Sequence, residues 1–450
     1  MNNTTLFFRI TVILCCIPTV TFSSAGWKTI PDTAQASYYV NVADSLSKIN
    51  EFEDAIANYE KASNLYSASG IWEKHVGCKN TIAWIWAIYG GEFIRAKEIL
   101  DTTFVVATKR LGKDHIRLAS THETMGAAYY VIGNYDKARI YFENSLRIRV
   151  NHYGEFDPKT APSYNNLGLI YHEKGDYSKA LEYFQKDLKI TIDNSGKYSL
   201  EVAASYNNIG LVYFERGDHK QALSYYHQSL IIRLNELGNE NIDVAGNYNN
   251  IGLIHYQNKD YDKALGYYQQ SVEVLIKSVG KNHHAVADCY SNIGNIYGDK
   301  KQLDKALDMQ FKSVAINLNA TDSLHPNLAR NFSNIGELYR LKKDYQKALG
   351  YQNKAMNIFT QIVGRYNPII GKMHIQIAEL YEAQNKYAKA LISYQNAIGS
   401  LISDFHSKHI YTNPVLPEIH RSNSINSMPF LLETLIGKAE TLEMKWIVAN

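Results

Sequence analysis

Residues Tyr164–Leu188 read YNNLGLIYHEKGDYSKALEYFQKDL, and a shift of 42 returns them as YNNIGLVYFERGDHKQALSYYHQSL at Tyr206–Leu230. The next shift gives Tyr248–Val272. Small residues recur at Gly126, Gly168, Gly210, Gly252, Gly294, Gly336 and Ala378. A second small column runs Ala138, Ala180, Ala222, Ala264, Ala306, Ala348 and Ala390. An aromatic column runs Tyr129, Tyr171, Tyr213, His255, Tyr297, Tyr339 and Tyr381. Self-similarity at one fixed period marks tandem duplication and a repeat architecture.

Each unit reads as two helices. Tyr164, Leu167, Gly168 and Tyr171 fall at i, i+3, i+4 and i+7, one face of a helix. Gly175-Asp176 then supplies a helix stop and an N-cap for the next helix. Ala180, Leu181, Phe184 and Leu188 continue at helical spacing, and that helix is expected to end near Gly196. The matching column is Gly112, Gly154, Gly196, Gly238, Gly280 and Gly364. A single hairpin cannot bury such a stripe, whereas a stack of hairpins does.

This order of small, small and aromatic positions resembles the tetratricopeptide repeat, in the 42-residue form found in kinesin light chains. The resemblance implies an all-α fold, a right-handed superhelix or α-solenoid of about nine helical hairpins over residues 36–405, its first helices lining a concave surface. The units begin near residues 36, 76, 117, 159, 201, 243, 285, 327 and 369. The first two are weaker copies. Ala43 and Ala55 keep the small columns and Phe52 precedes the second helix, while Trp84 replaces the glycine and Ala87 the tyrosine, a large-for-small exchange that preserves volume. Atypical terminal units are expected where a stack ends.

Around this array the chain changes character. Arg9, the uncharged run Ile10–Val20 and Ser23-Ser24-Ala25 form the three-part pattern of a secretory signal peptide over residues 1–25. That predicts a periplasmic or extracellular protein, cytoplasmic only if the leader is not functional, with membrane contact only through an uncleaved leader. Cys15 and Cys16 lie within the leader, and Cys78 and Cys289 are far apart in the repeat order, so they read as packing residues rather than a disulfide. Residues 406–450 lose the periodicity. Pro414 and Pro417 mark a linker, and Leu432, Leu435, Ile436, Ala439 and Leu442 suggest a helix that opens a further domain. This tail is similar to the segment joining such repeats to a caspase-like CHAT domain in large bacterial proteins. That resemblance makes a sensor or regulatory arm of a CHAT protease the alternative to a free-standing scaffold, with the catalytic half outside this chain.

With 450 residues, 20% of them charged, and a formal net charge of +3, the chain lacks the basic footprint of a nucleic-acid binder. No phosphate-cradling glycine loop or Ser, Cys or His constellation recurs outside the repeat columns, so neither an enzyme, a cofactor nor a small-molecule substrate is expected. His283-His284 has no further ligand at metal spacing. Lys179 and its equivalents read as a solvated face. The functional candidates lie on the first helices. Asn166, Asn208, Asn250, Asn292 and Asn334 form one column, and Asn165, Asn207 and Asn249 the column beside it, continued by Ser291 and Ser333. Asn inside a helix costs roughly 0.5 kcal/mol relative to Ala, and its amide both donates and accepts. Two readings follow: these amides clamp the backbone of an extended peptide, or they bond to the neighbouring repeat. In the repeat family the position of Asn166 commonly contacts a ligand backbone, which points to the first. Phe214 and Tyr256 would be aromatic anchors beside them. The expected partner is a protein or peptide.

Overall fold

The computed structural model describes residues 31–320 and 325–401. The leader over residues 1–25 and the linker and helix expected over residues 406–450 lie outside the described residues. Among the described residues there are eighteen helices and no strand, and the chain divides into two compact units after Gly238.

The first unit holds five antiparallel hairpins: α1 (Pro31–Lys48) with α2 (Phe52–Ala68), α3 (Trp72–Ile88) with α4 (Phe93–Leu111), α5 (Ile116–Val131) with α6 (Tyr135–Tyr153), α7 (Ala161–Glu173) with α8 (Tyr177–Ser195), and α9 (Leu200–Glu215) with α10 (His219–Leu237). Four more form the second: α11 (Ile242–Gln257) with α12 (Tyr261–Val279), α13 (His284–Asp299) with α14 (Leu303–Ala320), α15 (Pro326–Leu341) with α16 (Tyr345–Val363), and α17 (Pro368–Glu382) with α18 (Tyr387–Leu401). Within each unit every helix packs on the next, which is the nearest-neighbour arrangement of an α-solenoid.

The glycine column exists because a large side chain from the second helix of the same hairpin, an aromatic ring at Gly126, Gly168, Gly210 and Gly252, occupies the place of its side chain. A Cβ built on Gly168 would lie 2.6 Å from the Phe184 ring, and one on Gly126 2.7 Å from Phe142. Sixteen residues separate each pair, and the partner column continues as Tyr226, Tyr268, Gln310 and Gln352. The exchange at Trp84 has its compensation here. Leu100, at the position of Phe142, is the smaller partner packed in one cluster with Trp84.

A second device repeats on the flank of the hairpins. Tyr171 stacks on Tyr183 with centroids 5.4 Å apart, and Tyr129 on Tyr141, Tyr213 on Tyr225, His255 on Tyr267 and Tyr339 on Tyr351 do the same. Lys179 lies over the Tyr171 ring at 5.0 Å, with Lys137, Lys305, Lys347 and Lys389 repeating the contact on Tyr129, Tyr297, Tyr339 and Tyr381. The lysine column read as a solvated face is therefore also a cation–π lid on the hairpin.

Helix ends follow the same bookkeeping of donors and acceptors. Asp176 accepts from the Lys179 amide as the cap of α8, and Gly196 ends that helix at φ +81°. At the turn inside each hairpin, Gly133, Gly175 and Gly217 take positive φ, but Lys259, Lys301 and Lys343 hold the same left-handed conformation with a side chain. A left-handed conformation costs a residue with a Cβ about 1–2 kcal/mol. Changing Lys259 or Lys343 to Gly is therefore expected to stabilise the second unit by about 0.5–1 kcal/mol each, after the entropy that glycine adds to the unfolded chain. Urea denaturation checks this, and no gain at either site would remove strain from the account of these turns.

Candidate functional site

The first helices carry the amide rows, and their surroundings decide what those amides do. In the first unit Asn165, Asn166 and Asn208 are buried, at 7%, 5% and 2% exposure, and Asn207 is half-buried. Asn166 Nδ2 donates to Glu123 Oε1 of the preceding repeat at 3.1 Å, and Asn208 Nδ2 donates to Asn165 Oδ1 at 2.8 Å. The second unit repeats this across its own repeats. Asn292 Nδ2 donates to the buried Asn249 at 3.0 Å, and Asn334 Nδ2 reaches Asn295 Oδ1 at 3.3 Å. Asn250 is half-buried.

Of the two readings open to these amides, the repeat-to-repeat bond is the one seen at Asn166, Asn208, Asn292 and Asn334. Leu169, Leu211 and His172 on the same helices are buried as well. Helices α7 and α9 in the first unit, and α13 and α15 in the second, pack against their own second helices and also reach the first helix of the preceding repeat through these amides. Leaving Asn165 Oδ1 without its donor costs about 1–2 kcal/mol, so Asn208→Ala is expected to lower stability by that amount in urea denaturation. A change below experimental error would detach the amide row from the stack.

What stays accessible is aromatic. Phe214 is half-buried and stacks on His219 at 5.7 Å, while Tyr256, also half-buried, donates its hydroxyl to Asp299 Oδ2 at 2.9 Å. His172, one period before Phe214, is closed over. Both rings are thus partly committed to packing and partly exposed.

Other candidate chemistry resolves into structure. His283 is the N-cap of α13, its Nδ1 accepting from the Ala285 amide at 3.3 Å. His115, Asn241, His325 and Asn367 cap at the equivalent position with the same spacing to the donor. Sequence reasoning missed this column because its members share an acceptor rather than a residue type. Cys78 and Cys289 are buried free thiols, each pushed up to about 12 by burial. Among the described residues no group of His, Cys, Asp or Glu is placed to hold a metal ion, and no helix is long and apolar enough to cross a membrane.

Comparison with known proteins agrees with the fold. No curated protein matches the chain. The quorum sensor NprR from B. thuringiensis, in its apo form, superposes with a TM-score of 0.57 at 14% identity, covering 82% of this chain and 98% of that one. Apo RapI gives 0.56 at 13% identity, covering 81% and 97%. BtubC (BKLC) from P. vanneervenii is 22% identical over 52% of this chain and 92% of its own, with a TM-score of 0.44. The family description "Tetratricopeptide repeat" matches residues 117–193, 160–235, 243–318 and 327–401, and a second description of the same name matches 36–68. More than half of the chain lies within those segments, and the protein belongs to the tetratricopeptide repeat family.

Proposed function

We propose that this chain is a protein-binding scaffold whose first helices hold an extended peptide. The observation that carries the reading is the partly exposed amide and aromatic surface that each unit carries on those helices by itself: Asn207 and Phe214 in α9 of the first unit, and, separately, Asn250 and Tyr256 in α11 of the second. Aromatic rings bring contact area at low entropic cost, and an amide serves either polarity of a peptide backbone. The buried amides Asn165, Asn166, Asn208 and Asn249, with Asn292 and Asn334, keep the repeats in register beneath that surface. A partner held by contacts of this kind needs no cofactor and no reactive group.

A displayed library of random peptides selected on the full chain tests the reading. Selected peptides are expected to lose about tenfold in affinity to Phe214→Ala or Tyr256→Ala, the effect of removing one interface anchor. Capture undiminished in both variants would move the binding surface elsewhere. The leader over residues 1–25 puts this scaffold outside the cytoplasm. N-terminal sequencing of the protein recovered from cells is expected to start after Ala25, and a retained Met1 would leave either an uncleaved leader at the membrane or a cytoplasmic protein.

A further inference from the structure

We propose that a cleft between α7, α8 and α9 receives the guanidinium of an arginine side chain on the bound peptide, an inference that rests on the scaffold reading above. The cleft has a volume of about 260 Å³ and is lined by Pro162, Asn165, Asp187, Thr191, Glu201 and Ser205 among others.

Its origin lies in three differences from the preceding repeat. The column through Thr191 holds Arg149 one period earlier and Arg233 one period later. Arg149 spends its guanidinium on the Glu123 carboxylate and on the carbonyl of Lys159, 2.6 Å away, and Arg233 is buried. Thr191 ends far short of that reach, so the volume an arginine fills in its neighbour is empty here. The position of Glu123 is taken by Asn165, which removes the old partner.

The third difference adds a carboxyl. Asp187 stands where Ser145 and Ser229 stand one period on either side. Ser229 donates to the Ala203 carbonyl at 2.7 Å, which an ionised carboxylate cannot do. Asp187 instead accepts from Ser205 Oγ at 2.6 Å, and it lines the cleft at 7% exposure. This repeat has therefore gained a buried acid and lost the cation. A buried carboxylate without a counter-charge is costly, and a cation that enters repays part of that cost. Desolvation pushes the Asp187 carboxyl up to about 7, with the Ser205 hydroxyl opposing it and no cation contributing. Glu201 adds a second negative charge in the lining. A planar guanidinium suits the site better than an ammonium, because it brings two parallel donors to one carboxylate and tolerates burial.

The probe is N-acetyl-arginine amide, titrated calorimetrically into the full chain, with N-acetyl-norleucine amide as the uncharged control. Saturable binding of the arginine amide alone is expected. It should fall about tenfold or more in Asp187→Asn, the scale of a lost charge-assisted contact, and vanish in Thr191→Arg, whose own guanidinium fills the cleft. Thermal melts of both variants establish that they are folded. Equal binding of the norleucine amide, or undiminished arginine binding by a folded Asp187→Asn, overturns the proposal. Peptide selection separates the two readings. Peptides without a fixed arginine sink the cleft and leave the scaffold standing, whereas arginine-amide binding with no peptide selected does the reverse.

Discussion

Phe184→Ala is expected to destabilise the first unit by about 3–5 kcal/mol, the range for an aromatic side chain removed from a packed core. Phe184 is 1% exposed, and its ring covers the Cα of Gly168 so closely that a methyl there would sit 2.6 Å from it. Truncation leaves a void that glycine has no side chain to fill, walled by Leu167, Ile170 and Leu181 in the same core cluster. The complementary change, Gly168→Ala, overpacks the same contact and is expected to cost about 1–3 kcal/mol. Because the two sites touch, Gly168→Ala combined with Phe184→Leu should cost less than the sum of its parts. The chain contains a solution of that kind already, since Trp84 sits opposite the smaller Leu100. Urea denaturation of the wild type, Gly168→Ala, Phe184→Leu and their combination measures the coupling. A loss below about 1 kcal/mol for Phe184→Ala would mean that the ring is not the keystone of its hairpin.

That contact also shows how much was readable beforehand. Period, helix pairs, small columns and glycine helix ends were all visible, because each is fixed by one residue type at one position. The partner of the glycine column was not, because it changes from Phe to Tyr to Gln while its task stays the same. Gln310 meets the task in polar terms, donating to the Ser291 carbonyl at 3.1 Å and accepting from the Ser291 hydroxyl. The N-cap column stayed hidden for the same reason, since His283 and Asn241 look unrelated until both are seen accepting an amide proton. On the candidate site the sequence went half way. It singled out Asn165 and Asn208 and left open whether they bind a ligand or each other, a question that turns on the distance between repeats and not on either residue. Asp187 and Thr191 were legible as breaks in their columns, but they lie on a second helix, away from the face that drew attention.

The pH dependence of stability is expected to change most at Asp187. Its carboxyl, ordinarily near 3.8, is pushed up to about 7 in the folded chain by desolvation. Between those values the folded protein holds a proton that the unfolded chain has released, so stability falls as pH rises through that window and levels off above it. At about 1.4 kcal/mol per pH unit, the full effect is on the order of 4 kcal/mol. Buried His122, pushed down to about 4, works in the opposite direction, because its unfolded form takes up a proton that its folded form refuses until lower pH. Asp288, in the second unit, also rises to about 7 and adds to the decline. The wild-type curve is a sum of these, so the difference between it and Asp187→Asn isolates one carboxyl. The Asn variant should gain little or nothing near pH 4.5 and be the more stable protein near pH 8, by on the order of 2–4 kcal/mol. Urea denaturation at intervals across that range checks it, and parallel curves would show that the carboxylate finds water or a cation in the fold. N-acetyl-arginine amide sharpens the comparison. At high pH it supplies the counter-charge that Thr191 does not, and it should narrow the gap by stabilising the wild type while leaving Asp187→Asn unmoved.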